Sequence, residues 1–197
     1  MDTDEISQLI LRERQGRDRG WWDQMREAFL PDSAVSLSWF SGTGSDFVAR
    51  SQDMSGRGDR AVHRLSPPVV HVHGDRAYAE LSTAIEFRIT LDSRPADLTS
   101  YTRLNYRLER RDGRWGVLFL DAIYERDTLS PVIPGDSLAV DRAALKDFRP
   151  SYALISYHLN QRGYAVRTDL LGDDRPEQVD AFYAEVWAWL KKEPAGS

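Results

Sequence analysis

The stretch LTSYTRLNYRLERRDGRWGVLFLDAIYERD, residues 98–127, contains two long runs on either side of the tetrapeptide Arg-Asp-Gly-Arg. Apolar and polar residues alternate along much of each run, as they do in strands with one buried face. An Asp-Gly pair between two such runs is a strong signal for a tight β-hairpin. The sequence therefore predicts two long antiparallel strands over 98–110 and 114–126.

Further strands are predicted upstream of this hairpin. Residues 75–91 alternate throughout, and shorter alternating runs cover 33–40 and 68–73. Residues 41–59 hold four glycines and many small polar residues, which predicts a loop with one short helix at most. The face of the 75–91 strand that is predicted to be buried carries Ala77, Ala79, Leu81, Thr83, Ile85, Phe87 and Ile89.

Two helices are predicted before the first strand. Ile6, Leu9 and Ile10 have helical spacing, and Asp4 is placed to cap the N-terminus of a helix over 4–18. A second, short helix is expected from WWDQMREAFLP, where Pro31 follows its end. Long neighbouring strands after N-terminal helices are typical of an α+β fold, with the helices packed on one face of a curved antiparallel sheet.

The last part of the chain, residues 129–197, is predicted to be a helical extension of a core domain over 1–128. It follows the Pro/Gly-rich linker TLSPVIPGDS and has helical patterns over 139–148, 150–164 and 175–192. Its many aromatic side chains need cover from water. We expect the extension to dock on the outer face of the sheet, at the mouth of a pocket or on a partner subunit, and we expect a homodimer.

Composition excludes several kinds of function. The chain has 197 residues, no cysteine and a net charge of −5. Without cysteine there are no disulfides, thiolate metal sites or cysteine nucleophiles. Lysine and arginine form no basic stripe, which argues against a nucleic-acid partner. No apolar run approaches the ~20 residues of a membrane span. With its polar N-terminus, the chain is expected to be cytoplasmic.

Four motifs in order resemble the SnoaL-like branch of the nuclear-transport-factor-2-like (NTF2-like) superfamily. They are DRGWWD, FLPDSAV, the lone His63 before VVHVHGDRAYAE, and YRLERRDGRWGV, within residues 4–128. The resemblance implies a cone-shaped α+β barrel in which a curved sheet wraps the N-terminal helices around an apolar pocket. Members of this branch include cofactor-free dehydratases, dehydrohalogenases, isomerases, cyclases and aldol-type lyases, along with domains that only bind ligands.

The resemblance also implies a catalytic pair, Asp18 and His63. A carboxylate that accepts the Nδ1 proton of a histidine fixes its tautomer and stabilises the imidazolium formed when the ring takes a proton. A buried histidine with a purely structural role is the alternative. His71 and His73 offer only two metal ligands with no evident third, so neither a metal nor a cofactor is expected.

Glu13 and Arg17 depart from the pattern of this family, which usually has an aromatic or small residue at position 13 and an apolar residue at position 17. Both continue the apolar stripe of the first helix. Either they form an inward pair that makes a polar floor under the pocket, or they lie in solvent near the helix end. Candidate substrate contacts are Glu13, Arg17, Trp22, Trp39, Tyr101 and Tyr106, although aromatic residues are more often core.

The first functional hypothesis is a cofactor-independent lyase that acts on a hydrophobic aromatic or polyketide-like small molecule. It would release water, as a dehydratase does, or a small aldehyde, as an aldol-type lyase does. An isomerase or cyclase with the same pair is the second hypothesis. A non-catalytic small-molecule-binding domain is the third, and it is favoured if the extension walls off His63 and leaves little empty space.

Overall fold

The hairpin predicted at residues 98–127 forms the centre of the sheet in the computed structural model, which describes residues 2–192. Its strands are longer than predicted, and they meet at Arg111 and Arg114 through a turn in which Asp112 and Gly113 both have positive φ. The strands are β1 Phe29–Leu37, β2 Phe40–Thr43, β3 Val62–Leu65, β4 Val69–His73, β5 Arg76–Leu91, β6 Arg94–Arg111, β7 Arg114–Pro131 and β8 Leu171–Gly172. The helices are α1 Asp2–Arg19, α2 Trp22–Arg26, α3 Gly44–Gly56, α4 Ala153–Gln161 and α5 Pro176–Lys191.

The predicted α+β class is confirmed, with helices on a curved sheet that does not close. The strand order is β2-β1-β7-β6-β5-β3, while β4 also pairs with β5 and β8 with β7. The sheet is mixed rather than wholly antiparallel, because β1 and β8 both run parallel to β7. The parallel pairing arises because helices and loops separate β1 and β8 from β7, so neither is joined to it by a hairpin.

The concave face of the sheet holds the main core. Alternate residues of β6, from Leu98 to Leu108, point into it and are buried. From α1, Ile6 and Ile10 pack on this face with no exposed surface. The apolar stripe predicted for the first helix is therefore its buried face, and the helix starts at Asp2, so Asp4 lies inside the first turn.

Several local predictions were wrong. Residues 44–56, predicted as mostly loop, form the 13-residue helix α3. Thr43 caps it by accepting the Asp46 N–H at 3.1 Å, and Phe47, Val48, Ser51 and Met54 are buried at helical spacing. The single strand predicted over 33–40 is divided by a turn at 38–39, since β1 and β2 pair with each other through Leu37 and Phe40.

The C-terminal extension docks on its own chain in two places. The segment from Tyr152 to Leu170, which includes α4, contributes to the main core on the concave side. Helix α5 packs on the outer side of the sheet, where Val186 and Leu190 cover Tyr78. The helix predicted over 139–148 is not formed, and this segment contains only a 3₁₀ turn at Ala144–Asp147. The turn buries no residue, so tertiary packing does not stabilise a longer helix there.

The boundary predicted at residue 128 stays a prediction, although β7 runs through it and α4 shares the core of the preceding part. The predicted homodimer also stays a prediction. None of the helices in residues 2–192 is long and apolar enough to cross a membrane.

Helix α4 is fastened to the sheet by a side chain of β7. One oxygen of Asp127 accepts the N–H groups of Leu154 at 2.9 Å and Ile155 at 3.0 Å, in the first turn of α4. Burial raises the pKa of Asp127 to about 6. The carboxylate thus caps α4 at a cost of burying its charge.

Two substitutions of Asp127 should distinguish the stabilising effect of its hydrogen bonds to α4 from the cost of burying its charge. Asp127→Ala loses both acceptor contacts and is expected to lower the free energy of unfolding by about 1–2 kcal/mol at neutral pH. Asp127→Asn keeps an acceptor oxygen and removes the buried charge, so its cost should stay below about 1 kcal/mol. Urea unfolding of both variants measures this, and an Asp127→Ala protein as stable as the wild type would show that the cap contributes nothing.

Candidate active site

Asp18 and His63 lie together, one in the last turn of α1 and the other on the edge strand β3. The Asp18 carboxylate accepts the backbone N–H of His63 at 2.8 Å with Oδ2, and its Oδ1 lies 2.6 Å from His63 Nδ1. Only 4% of the His63 side chain is exposed, against 14% for Asp18. One carboxylate therefore fixes both the backbone and the ring of the histidine.

This contact decides which ring nitrogen carries the proton. Burial alone would raise the pKa of Asp18, but its hydrogen bonds to His63, with the charge of that ring when it is protonated and the charge of Arg14, outweigh it, and the pKa lies below its ordinary value. An ionised carboxylate only accepts hydrogen bonds, so Nδ1 of His63 is the donor and Nε2 is left unprotonated. Burial, with the charges of Arg14 and Arg17, lowers the pKa of His63 although Asp18 opposes this. At neutral pH the ring is a neutral base.

The local sequence explains why His63 faces inward. Strand β3 pairs antiparallel with β5, with His63 opposite Ile85. Along β3 the side chains of Val62 and Arg64 are exposed, while those of His63 and Leu65 are turned toward the core. The alternation of the strand and the end of α1 thus bring the two site residues to one point.

A cavity opens beside His63 on the concave side of the sheet. It leaves only about 30 Å³ in which the centre of a water molecule can move. Helix α4 covers it with Ile155 and Leu159. The other lining residues are Arg14, Arg17, Leu37, Ser38, Trp39, Met54, Ala61, Ile85, Phe87, Leu104, Ala122 and Tyr124.

Glu13 is buried inside the protein, but its partner is not the one expected. It forms a two-pronged ion pair with Arg14, and Tyr106 donates to it at 3.1 Å. Burial alone would lower the pKa of Arg14, but the charge of Glu13 outweighs it and raises that pKa. The inward Glu13–Arg17 pair, one of the two alternatives, does not form, because both carboxylate oxygens of Glu13 accept from Arg14.

Arg17 has a different environment. Its guanidinium lies 5.6 Å from the ring centre of Trp39 and 5.8 Å from that of Phe47. Its hydrogen-bond partner is the thioether sulfur of Met54, at 3.5 Å. Burial, with the charge of Arg14, lowers the pKa of Arg17 to about 10, so the side chain remains charged at neutral pH.

The other predicted contacts are divided between the cavity and the rest of the molecule. Trp39 lines the cavity. Tyr106 is not among the lining residues, and its hydroxyl donates to Glu13. Tyr101 does not reach it, because its position between the buried Ser100 and Thr102 turns it to the outer face, where Arg126 lies 4.6 Å from its ring centre. Trp22 also lies elsewhere, half-buried beside α1 and a shallow surface groove.

Sequence reasoning missed Arg14 and the α4 residues that line the cavity, and it did not single out Tyr124 as a substrate contact. Arg14 follows Ile10 by four positions, so the helical stripe contains it, and this signal was available. Tyr124 accepts the Ser38 N–H at 2.9 Å with its hydroxyl. Only tertiary packing brings Ile155 and Leu159 here.

A much larger cleft lies on the other side of the cavity wall. It offers about 760 Å³ by the same measure and runs between α3 and residues 163–165. Trp39 and Met54 line both spaces. The outer cleft and the cavity beside His63 therefore share these two side chains.

No three or more His, Cys, Asp or Glu side chains within residues 2–192 come together in a way that would hold a metal ion. His71 and His73 are exposed on β4, and His71 lies 4.8 Å from the ring centre of Trp187.

The model of the SnoaL-like domain matches residues 1–121 of this chain. The chain belongs to the SnoaL-like domain family. It is 28% identical over 187 residues to pea pathogenicity protein 2 of Fusarium vanettenii. The matched region covers 90% of this chain and 80% of that protein.

Solved structures share the fold of this SnoaL-like chain. One is the hexachlorocyclohexane dehydrochlorinase LinA-type3 of Novosphingobium barchaimii, with a TM-score of 0.53 and 14% identity, covering 70% of this chain and 94% of that one. Another is a protein of Novosphingobium aromaticivorans described as a proposed scytalone dehydratase, with a TM-score of 0.51 and 20% identity, covering 72% and 94%. At these identities the likeness shows the fold alone.

The buried pair predicts a strong effect of Glu13 on stability. Glu13→Ala leaves the Arg14 charge buried without its partner, and we expect the free energy of unfolding to fall by about 3–5 kcal/mol. Tyr106→Phe removes one hydrogen bond and should cost about 1 kcal/mol. Urea unfolding measures both.

The exposed Glu5, in the first turn of the same helix, provides the control. Glu5→Ala should cost no more than about 1 kcal/mol, because only its interaction with the helix dipole is lost. Equal costs for Glu13→Ala and Glu5→Ala would contradict the buried pair.

Proposed function

We propose that this protein is a cofactor-independent lyase in which His63 is the base and Asp18 orients it. The observation that carries the proposal is the position of His63, which is held by Asp18 through Nδ1 while the ring borders an apolar cavity. A neutral imidazole with a fixed tautomer is suited to taking a proton from carbon or from a hydroxyl group.

The reaction then follows from the pair. Nε2 of His63 takes the proton, and the Asp18 carboxylate stabilises the imidazolium that forms. A neighbouring group leaves as water, or a C–C bond breaks and a small aldehyde departs. Either outcome extends the conjugation of the product.

The lining supports a hydrophobic aromatic or polyketide-like substrate. Most of the wall is apolar, with Trp39, Phe87 and Tyr124 contributing aromatic faces. Two solved structures of the same fold carry the names of a dehydrochlorinase and a proposed dehydratase, and elimination is the chemistry common to those names. An isomerase or cyclase that uses the same pair remains the alternative among enzymes.

One observation favours a non-catalytic small-molecule-binding domain instead. The cavity has room for only a few waters as it stands, and α4 covers it. Under the lyase proposal, the cavity must widen to admit a ring-sized substrate, and Trp39 and Met54, which also line the outer cleft, are the side chains that we expect to move.

Turnover of a substrate panel tests the proposal. The panel consists of aromatic and bicyclic β-hydroxy ketones, and the appearance of a conjugated product is followed by ultraviolet absorbance. His63→Ala should reduce turnover by at least about 10²-fold while melting temperature and ligand binding persist. His73→Ala, which changes an exposed histidine on the next strand, is the matched control and should match the wild type.

Activity of His63→Ala within about threefold of the wild type would show that His63 is not the base. Binding of panel compounds by the wild type without any turnover would favour the non-catalytic domain.

A further inference from the structure

The cavity wall carries two arginines whose charges are balanced differently. Arg14 is neutralised by Glu13, and the second hydrogen-bonding group on that carboxylate is the Tyr106 hydroxyl. Asp18 is occupied by the two N–H groups of His63. Neither carboxylate forms an ion pair with Arg17, although the charges of Asp18 and Glu13 favour its charged form from a greater distance.

Arg17 has no carboxylate within ion-pair distance anywhere in residues 2–192. Its contacts are the Met54 sulfur and the faces of Trp39 and Phe47. A guanidinium has five N–H donors, and aromatic faces and a thioether satisfy them poorly. The side chain is half-buried, so water satisfies part of it, and a negatively charged group in the cavity would satisfy it better.

We propose that Arg17 binds the oxygen atom that becomes negative when His63 removes a proton, and that the substrate is therefore a ketone or aldehyde that reacts through an enolate. This inference rests on the proposed function, since it requires His63 to act as the base. Arg17 lines the same cavity as His63, with Asp18 as its neighbour in sequence.

Nε2 of His63 takes the proton from the carbon next to the carbonyl group. The C–H electron pair forms the enolate double bond, and the carbonyl π pair moves to the oxygen held by Arg17. When the carbonyl re-forms, hydroxide leaves the β-carbon and departs as water with the proton from Nε2, which restores neutral His63.

The balance of charge favours Arg17, rather than Arg14, as the group that binds the enolate oxygen. When His63 takes a proton, the site gains one positive charge, and the enolate oxygen supplies the matching negative charge. Arg14 contributes little to this because Glu13 already satisfies it. A preorganised cation at the developing negative oxygen stabilises the transition state without reorganisation.

Binding of 4-nitrophenol tests this inference without turnover. Its phenolate is a flat aromatic oxyanion that mimics an enolate and has a distinct absorbance. At a pH where the free probe is mainly neutral phenol, the wild-type protein should bind it as phenolate. Arg17→Met keeps an apolar side chain of similar length against Trp39 and Phe47, and it should weaken phenolate binding about 10- to 100-fold.

Two further variants control for charge and folding. Arg12→Met removes the same charge from an exposed position of α1, and its phenolate affinity should stay within about twofold of the wild type. Arg17→Lys keeps a cation and should retain phenolate binding more strongly than Arg17→Met. Melting temperatures show whether each variant is folded.

The outcomes separate this inference from the proposed function. The role of Arg17 is overturned if the wild-type protein does not bind the phenolate. It is also overturned if Arg17→Met binds the phenolate as tightly as the wild type, or if Arg17→Lys binds it no more tightly than Arg17→Met. His63 would still be the base if His63→Ala abolished turnover. Conversely, if His63→Ala remains active, the proposed base fails while the phenolate measurement still reports on Arg17.

Discussion

One carboxylate that accepts two hydrogen bonds from the same histidine is the contact on which the site depends. Asp18 holds the backbone N–H and the ring of His63 at once, and so joins the end of α1 to the edge strand β3. A negative charge in the last turn of a helix is disfavoured by about 0.3–1 kcal/mol, and its partial burial adds to the cost. The two hydrogen bonds offset this cost and fix the orientation of the ring.

The second constraint is the balance of charge around that ring. Burial of the ring, and after it the charges of Arg14 and Arg17 on the same cavity wall, lower the pKa of His63, so the imidazole is neutral at neutral pH. Glu13 and Tyr106 hold one arginine firmly, while the other rests on aromatic faces. The polar floor under the cavity is therefore asymmetric, with one satisfied cation and one cation available to a ligand.

Local patterns in the sequence were enough for the α+β class, the central hairpin and the first helix, because these elements rest on alternation, helical spacing and a two-residue turn. The parallel pairing of β1 and β8 with β7 was not predictable in this way, since nothing local specifies which distant strand lies beside another. The helix α3 was missed because its glycines outweighed a capped pattern from Thr43 to Met54.

The candidate site shows the same division. Asp18 and His63 were found from a family pattern, whereas spacing alone would not have joined residues 45 positions apart. Glu13 was rightly suspected of facing inward, but its partner depended on side-chain geometry that a helical wheel does not contain. Tyr101 was wrongly included with Tyr106 among the aromatic residues of the pocket, because the alternation of β6 turns these two side chains to opposite faces. The role of α4 as a cover depends wholly on tertiary packing.

The tautomer and titration of His63 test the central claim most directly. Nitrogen-15 NMR of the imidazole at neutral pH should show a protonated Nδ1 and an unprotonated Nε2. On lowering the pH, the ring should take its proton below the ordinary histidine pKa of about 6.5, because burial and the two arginines disfavour the charged form. A ring that carries its proton on Nε2, or that is already an imidazolium at neutral pH, would contradict the account.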